Sequence, residues 1–215
     1  MSDSNGERPA ETSFNVLRRL VRPRAVAERC ELCARELPAE HDHLVEPATR
    51  KMLCACQPCA ILFSGSAKTK YRRVPRRILA LSNFRMSESQ WESLAIPIGM
   101  AFFFQSSVAG RVVSLYPSPA GATESLLDLE SWDEIVKENP ILNQMAPDTE
   151  ALLVNRVRGA SEYYLLPIDE CYKLVGLIRA NWRGLSGGTE VWEKIGGFFA
   201  ALKDKALPAG AVAYA

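Results

Sequence analysis

Two Cys-x-x-Cys pairs, Cys30/Cys33 and Cys56/Cys59, stand 22 residues apart in the first third of the sequence. Each pair can place two thiolates on one ion through a tight backbone knuckle, and two pairs complete a tetrahedron. Five of the six cysteines fall between Cys30 and Cys59, and only Cys171 lies elsewhere. A disulfide framework would be spread through a small secreted domain, whereas tight CxxC pairs read as metal ligands. The expected site is therefore Cys30, Cys33, Cys56 and Cys59 around one ion, zinc (Zn2+) before iron. A core of roughly 40 residues rarely folds unaided, so the metal is expected to supply folding energy to this part of the chain.

Three more residues compete for the four places. Cys54 precedes the second pair by two positions, and His41 and His43 lie between the pairs. Residues 50–55 read as a strand feeding the second knuckle, and Ala60 to Phe63 as the start of a helix, in the manner of treble-clef and zinc-ribbon modules. A rubredoxin-type iron site also uses two CxxC pairs, but its knuckles carry glycine after the second cysteine. Ala34 and Ala60 occupy those places here. The run His41-Asp42-His43-Leu-Val resembles the start of an HNH nuclease site, in which a zinc frame surrounds an Asp-His pair. Ala60-Ile61-Leu62 after the last knuckle provides no Asn or His, so such a module would be degenerate.

The bulk of the chain is that of a folded protein, with 47% apolar and 24% charged residues. The apolar stretch Ala95 to Phe104 contains Pro97 and Gly99 and is too short to span a bilayer. The N-terminus is polar and has no apolar run, so a cytoplasmic protein without membrane insertion is expected. The net charge of +1 conceals an asymmetry: residues 1–86 hold 16 basic against 9 acidic residues, and residues 87–215 hold 10 against 16. Between Glu46 and Glu88 there is no acid, while Lys68, Lys70, Arg72, Arg73, Arg76, Arg77 and Arg85 crowd one segment. That segment either meets phosphates or pairs with the acidic half; the second is favoured, which makes nucleic acid an unlikely partner.

The expected organisation is a polar tail and short basic helix over 1–25, with Ser13 as its cap, then a metal module over 26–66. A basic linker over 67–86, an α+β domain over 87–205 and a flexible tail over 206–215 follow. In the α+β domain Gly99 to Gln105 pairs with Arg111 to Pro117, and Ala151 to Val157 with Glu162 to Pro167, as antiparallel strands. Residues 117–125 read as a loop. Helices are expected over Trp132 to Asn139, over Glu170 to Trp182 with Asp169 as N-cap, and from Thr189 as cap to Lys205.

No P-loop, dinucleotide-binding glycine motif, nucleophile elbow or HExxH is present, and the chain has two histidines in all. No catalytic residue is therefore assigned. The phrases CELC, HDHL, LCACQPCA, IPIGMAFFFQSSVAGRVVSLYPSPAGATES, ALLVNR, EYYLLPIDECYKLVGLIR and NWRGLSGGTEVW together resemble the bacterial domain-of-unknown-function family 5947, over roughly residues 14–203. Members of that family are encoded beside genes of nickel–iron hydrogenases. The resemblance implies a non-enzymatic accessory role in hydrogenase assembly or maturation, with a hydrogenase subunit or maturation factor as protein partner. A rubredoxin-like iron electron-transfer protein is the alternative, and a nucleic-acid-binding or degenerate HNH-type module comes after it.

Overall fold

The computed structural model describes residues 27–64, 69–125 and 129–209. The short helix expected over 13–21 lies outside the described residues, as do residues 210–215 of the expected tail. The fold is α+β, with two sheets among the described residues.

The smaller sheet begins with a hairpin, β1 (Asp42–Glu46) and β2 (Lys51–Ala55), followed directly by helix α1 (Gln57–Ser64). Its third strand is β3 (Arg72–Arg73), which pairs with the other edge of β1. Chain order continues with β4 (Leu79–Ala80), α2 (Glu88–Ser93), β5 (Met100–Ser106), β6 (Arg111–Ser118), β7 (Gly121–Ser125) and α3 (Leu129–Glu138). A 3-10 turn at Pro140–Gln144 leads to β8 (Glu150–Asn155) and β9 (Glu162–Pro167). Helices α4 (Ile168–Asn181) and α5 (Gly188–Lys205) and strand β10 (Leu207–Pro208) complete the chain. The larger sheet has the order β10-β4-β9-β8-β5-β6-β7. Its pairings are antiparallel except the first in that order, between β10 and β4, which is parallel.

The expected strand pairs recur within a residue or two as β5–β6 and β8–β9, and β5 and β8 join them into one sheet. The run Phe102-Phe103-Phe104 lacks the alternation of a half-buried strand because both faces of the sheet are covered. Phe102, Phe104, Leu153 and Leu166 face α4 and α5, packing with Leu174, Ile178, Ile195 and Phe199. Phe103, Leu152 and Leu165 face the other way, against Trp132, Ile135 and Leu142. The Phe103 and Trp132 rings stack at 5.1 Å.

Four local expectations give way. Residues 121–125 form β7, an edge strand whose Gly-Ala-Thr-Glu-Ser sequence carries no apolar alternation; its pairing with β6 is set by the neighbouring strand. Asp169 is the second residue of α4 rather than its cap, since the helix already starts at Ile168 after Pro167. Thr189 lies inside α5, which begins at Gly188 after Gly187 in the left-handed conformation, φ 86°. That backbone needs glycine there. Leu207–Pro208, in the stretch expected to be a tail, adds β10 beside β4.

Residues 69–81 bridge the two sheets, giving β3 to one and β4 to the other. The basic side chains of this strap meet carboxylates from both halves of the chain. Lys70 Nζ lies 3.1 Å from Glu46, Arg72 Nε 3.0 Å from Asp148, and Arg73 and Arg76 reach the buried Asp42 at 3.0 and 3.3 Å. Arg77 makes a two-pronged contact with the fully buried Glu150 at 2.5 and 2.8 Å. Asp42, the acid of the HNH-like triplet, is thus committed to two guanidinium groups.

Candidate metal centre

The first knuckle is a small hairpin closed by the bridge between Arg29 and Glu36. Ala34 N–H donates to Cys30 O and Cys30 N–H to Arg35 O, both at 2.8 Å, which folds the Cys30–Cys33 turn back on itself. Glu31 then docks this knuckle on the end of the second strand: its N–H donates to Cys54 O at 2.9 Å, and its carboxylate accepts from Cys54 N–H at 2.8 Å. The second knuckle straddles the junction of β2 and α1. Cys56 precedes the helix, and Cys59 lies in its first turn. Knuckle, hairpin and helix in this order make the treble-clef arrangement.

The local chemistry follows from alternation along the hairpin. Leu44, Leu53 and Ala55 point to one face and pack with Leu37, Ala60 and the cysteines. That small core brings Cys30, Cys33, Cys56 and Cys59 together, with their sulfur atoms all within 4.8 Å of one another. Cys33 Sγ and Cys56 Sγ are 3.7 Å apart. Cys30, Cys56 and Cys59 are buried, and Cys33 is exposed. The four residues singled out by their spacing are thus brought to one point, and the arrangement can hold a metal ion.

The thiols show why such a cluster calls for a cation. Burial raises Cys30, but N–H groups of Cys56, Leu32 and Cys33 and the Cys33 side chain outweigh it and bring its pKa down to about 6. Burial raises Cys59, and hydrogen bonding to Cys56, Cys33 and Cys30 adds to the effect, pushing it up to about 12. One thiolate forms readily, while burial, the hydrogen bonds among the thiols and, least, the charge of Cys30 oppose the next. A divalent ion removes that opposition and leaves every ligand deprotonated.

Ala34 occupies the place where rubredoxin knuckles carry glycine, and it adopts φ 62°. A left-handed alanine costs about 1–2 kcal/mol. Ala34→Gly is therefore expected to raise the stability of the metal-loaded protein by up to about 1 kcal/mol, the larger chain entropy of glycine offsetting part of the relief. Urea unfolding of both proteins with metal bound measures the difference.

Cys54, an open candidate for this site, lies on the other face of the hairpin. It sits opposite His43 in the β1–β2 register. Cys171 is fully buried under the large sheet, and burial pushes its thiol well above 9.0, as expected of a packed cysteine.

A family model matches residues 29–206, which takes in both knuckles and nearly all of both sheets. The chain belongs to the family of unknown function DUF5947. No curated protein and no solved structure matches it. No helix among the described residues is long and apolar enough to cross a membrane. Membership of DUF5947 brings no assigned chemistry to any residue, so the geometry has to carry the functional reading.

Proposed function

We propose that this protein is a zinc-binding, non-enzymatic accessory protein that acts by protein–protein contact, in the assembly or maturation of a nickel–iron hydrogenase. The observation that carries the contact reading is the outer side of α1. Ile61, Leu62 and Phe63 follow Cys59 after the buried Ala60 and are 57%, 72% and 39% exposed. Three consecutive large apolar side chains on the surface mark an interaction site more than a solvent face.

Zinc suits four thiolates in tetrahedral array, and a closed set of this kind leaves no coordination position for chemistry. The metal then holds α1 in place, and α1 presents the partner surface. The hydrogenase setting rests on the gene neighbourhood of the resembling family. The strap arginines already face carboxylates, which favours a protein partner over nucleic acid.

The test pairs the purified protein with purified hydrogenase subunits and maturation factors, using calorimetry or size-exclusion chromatography. Wild type is expected to bind one of them, and Leu62→Asp to lower the affinity more than tenfold with zinc content and stability unchanged, since an exposed substitution shifts stability by at most about 0.5 kcal/mol. Absence of binding by wild type to every such component rejects the hydrogenase setting. Equal binding by Leu62→Asp rejects α1 as the surface. A purified protein coloured by stoichiometric iron would instead make it an electron carrier.

A further inference from the structure

The other face of the hairpin carries a second set of metal-ligating side chains. His43 and Cys54 are cross-strand partners, and His41 precedes β1 two residues before His43, on the same side. One ring nitrogen from each histidine and Cys54 Sγ lie within 4.8 Å of one another. The two imidazole rings meet edge to face with centroids 4.8 Å apart. None of these three residues belongs to the four-thiolate group.

The hydrogen bonds of the histidines select their tautomers. His41 Nδ1 donates to the carbonyl of Pro38 at 3.0 Å. His43 Nδ1 donates to Asp169 Oδ2 at 2.7 Å. A carbonyl and a carboxylate can only accept, so each Nδ1 carries the proton and, in the neutral ring, each Nε2 is left with the lone pair. An oxygen acceptor behind the distal ring nitrogen is the arrangement that orients histidine as a metal ligand. His41 Nε2 is also buried without a hydrogen-bond partner, and its side chain is only 5% exposed. An unsatisfied buried nitrogen is costly unless something is meant to bind it.

Asp169 explains its own displacement from the helix cap. Its Oδ1 accepts from Glu170 N–H at 2.9 Å, which aims Oδ2 across at His43 from the start of α4. Beside His43 and Cys54 lies a cavity of about 250 Å³ walled by Met52, Tyr172 and Lys173.

We infer that His41 Nε2, His43 Nε2 and Cys54 Sγ form a second metal site, for a single first-row divalent transition ion, with its fourth coordination position open toward that cavity. Two imidazoles and one thiolate suit zinc, cobalt or nickel and not magnesium or calcium. Three protein ligands leave a place for water or a small anion, in contrast to the closed four-thiolate set. Lys173 on the cavity wall is paired with Glu170 Oε1 at 2.6 Å, so the fourth position takes its ligand by coordination to the ion and not by attraction to a free charge. Asp169 is a positioning residue, acting on the ion through His43. This site goes beyond the accessory role proposed above and does not depend on it.

The experiment uses the full chain with its four-thiolate site filled with zinc, titrated with Co2+ under reducing conditions and followed by absorption and elemental analysis. Wild type is expected to take up one further cobalt per chain with a thiolate-to-cobalt band. Where the second site is already filled on purification, wild type carries two metal ions per chain and Cys54→Ser one. Cys54→Ser abolishes the additional uptake, and Asp169→Asn weakens it about 10–100-fold. Zinc in the four-thiolate site is unchanged in both variants, so the two sites are read separately in each sample. Azide shifts the cobalt bands of wild type by entering the open position. A wild type that holds a single metal ion and takes up no cobalt overturns the inference, as does uptake by Cys54→Ser equal to that of wild type. Cobalt bands indifferent to azide overturn the open fourth position.

Discussion

Cys59→Ser, or removal of the metal by a chelator, is expected to unfold the treble-clef module while the large sheet remains folded. The core of the module consists of Leu37, Leu44, Leu53, Ala55 and Ala60 together with three of the cysteines themselves. So few apolar side chains cannot offset the conformational entropy of ordering about 40 residues. Structural zinc contributes about 10–16 kcal/mol of apparent binding energy in small modules of this kind. Loss of one thiolate therefore removes most of what holds the two knuckles together. The large sheet has its own two-faced core, to which the hairpin of the module adds only Val45 and Met52. Amide hydrogen exchange reads the two regions separately. Protection over residues 30–60 should collapse in the metal-free or Cys59→Ser protein, while protection in β5, β8 and β9 persists. Unchanged protection over residues 30–60 after complete metal removal would sink the structural-site reading.

Arg77→Ala is expected to cost about 3–5 kcal/mol, the usual penalty for leaving a buried charge without its partner. Glu150 is wholly buried, and both its carboxylate oxygens are held by Arg77. Oε2 also accepts from Ala146 N–H at 2.8 Å. The remaining Arg77 N–H bond, to Gln144 O at 2.9 Å, ties the strap to the turn before β8. Arg77→Lys keeps the charge but cannot make the parallel pair of bonds, so it should fall between wild type and alanine. Arg76→Ala is a fitting contrast, because the Arg76 side chain is 62% exposed and Arg73 also reaches Asp42. Its cost should stay below about 1 kcal/mol. Urea unfolding of the three variants ranks them. Equal losses for Arg77→Ala and Arg76→Ala would show that the buried pair contributes no more than a surface one.

The spacing of Cys30, Cys33, Cys56 and Cys59 was enough to name the four cysteines that the fold brings together, because a knuckle is a local turn and its ligand spacing is a property of a few bonds. The strands β5, β6, β8 and β9 were legible for a similar reason: they are runs of Phe, Val, Leu and Tyr bounded by turn residues. The short elements were not. β3, β4 and β10 are two residues each, and their strand character comes from the edge each one meets. The basic segment was visible as a cluster of charge, but which carboxylate each arginine faces depends on where the chain carries Asp148 and Glu150.

The second cluster shows the same division most clearly. His41, His43 and Cys54 were all noticed, as competitors for one ion. The β1–β2 register decides otherwise, since alternation sends Leu44 and Leu53 to the four-thiolate face and His43 and Cys54 to the opposite one. Asp169 read as a helix cap, and 126 positions separate it from the histidine it holds. The sequence by itself determined the four-cysteine cluster, the α+β class and the main strands, because periodicity and knuckle spacing act over a few neighbouring residues. Only the tertiary structure decided the strand order, the partners of the arginines and the gathering of His41, His43, Cys54 and Asp169, because those depend on which distant surfaces the packed sheets bring into contact.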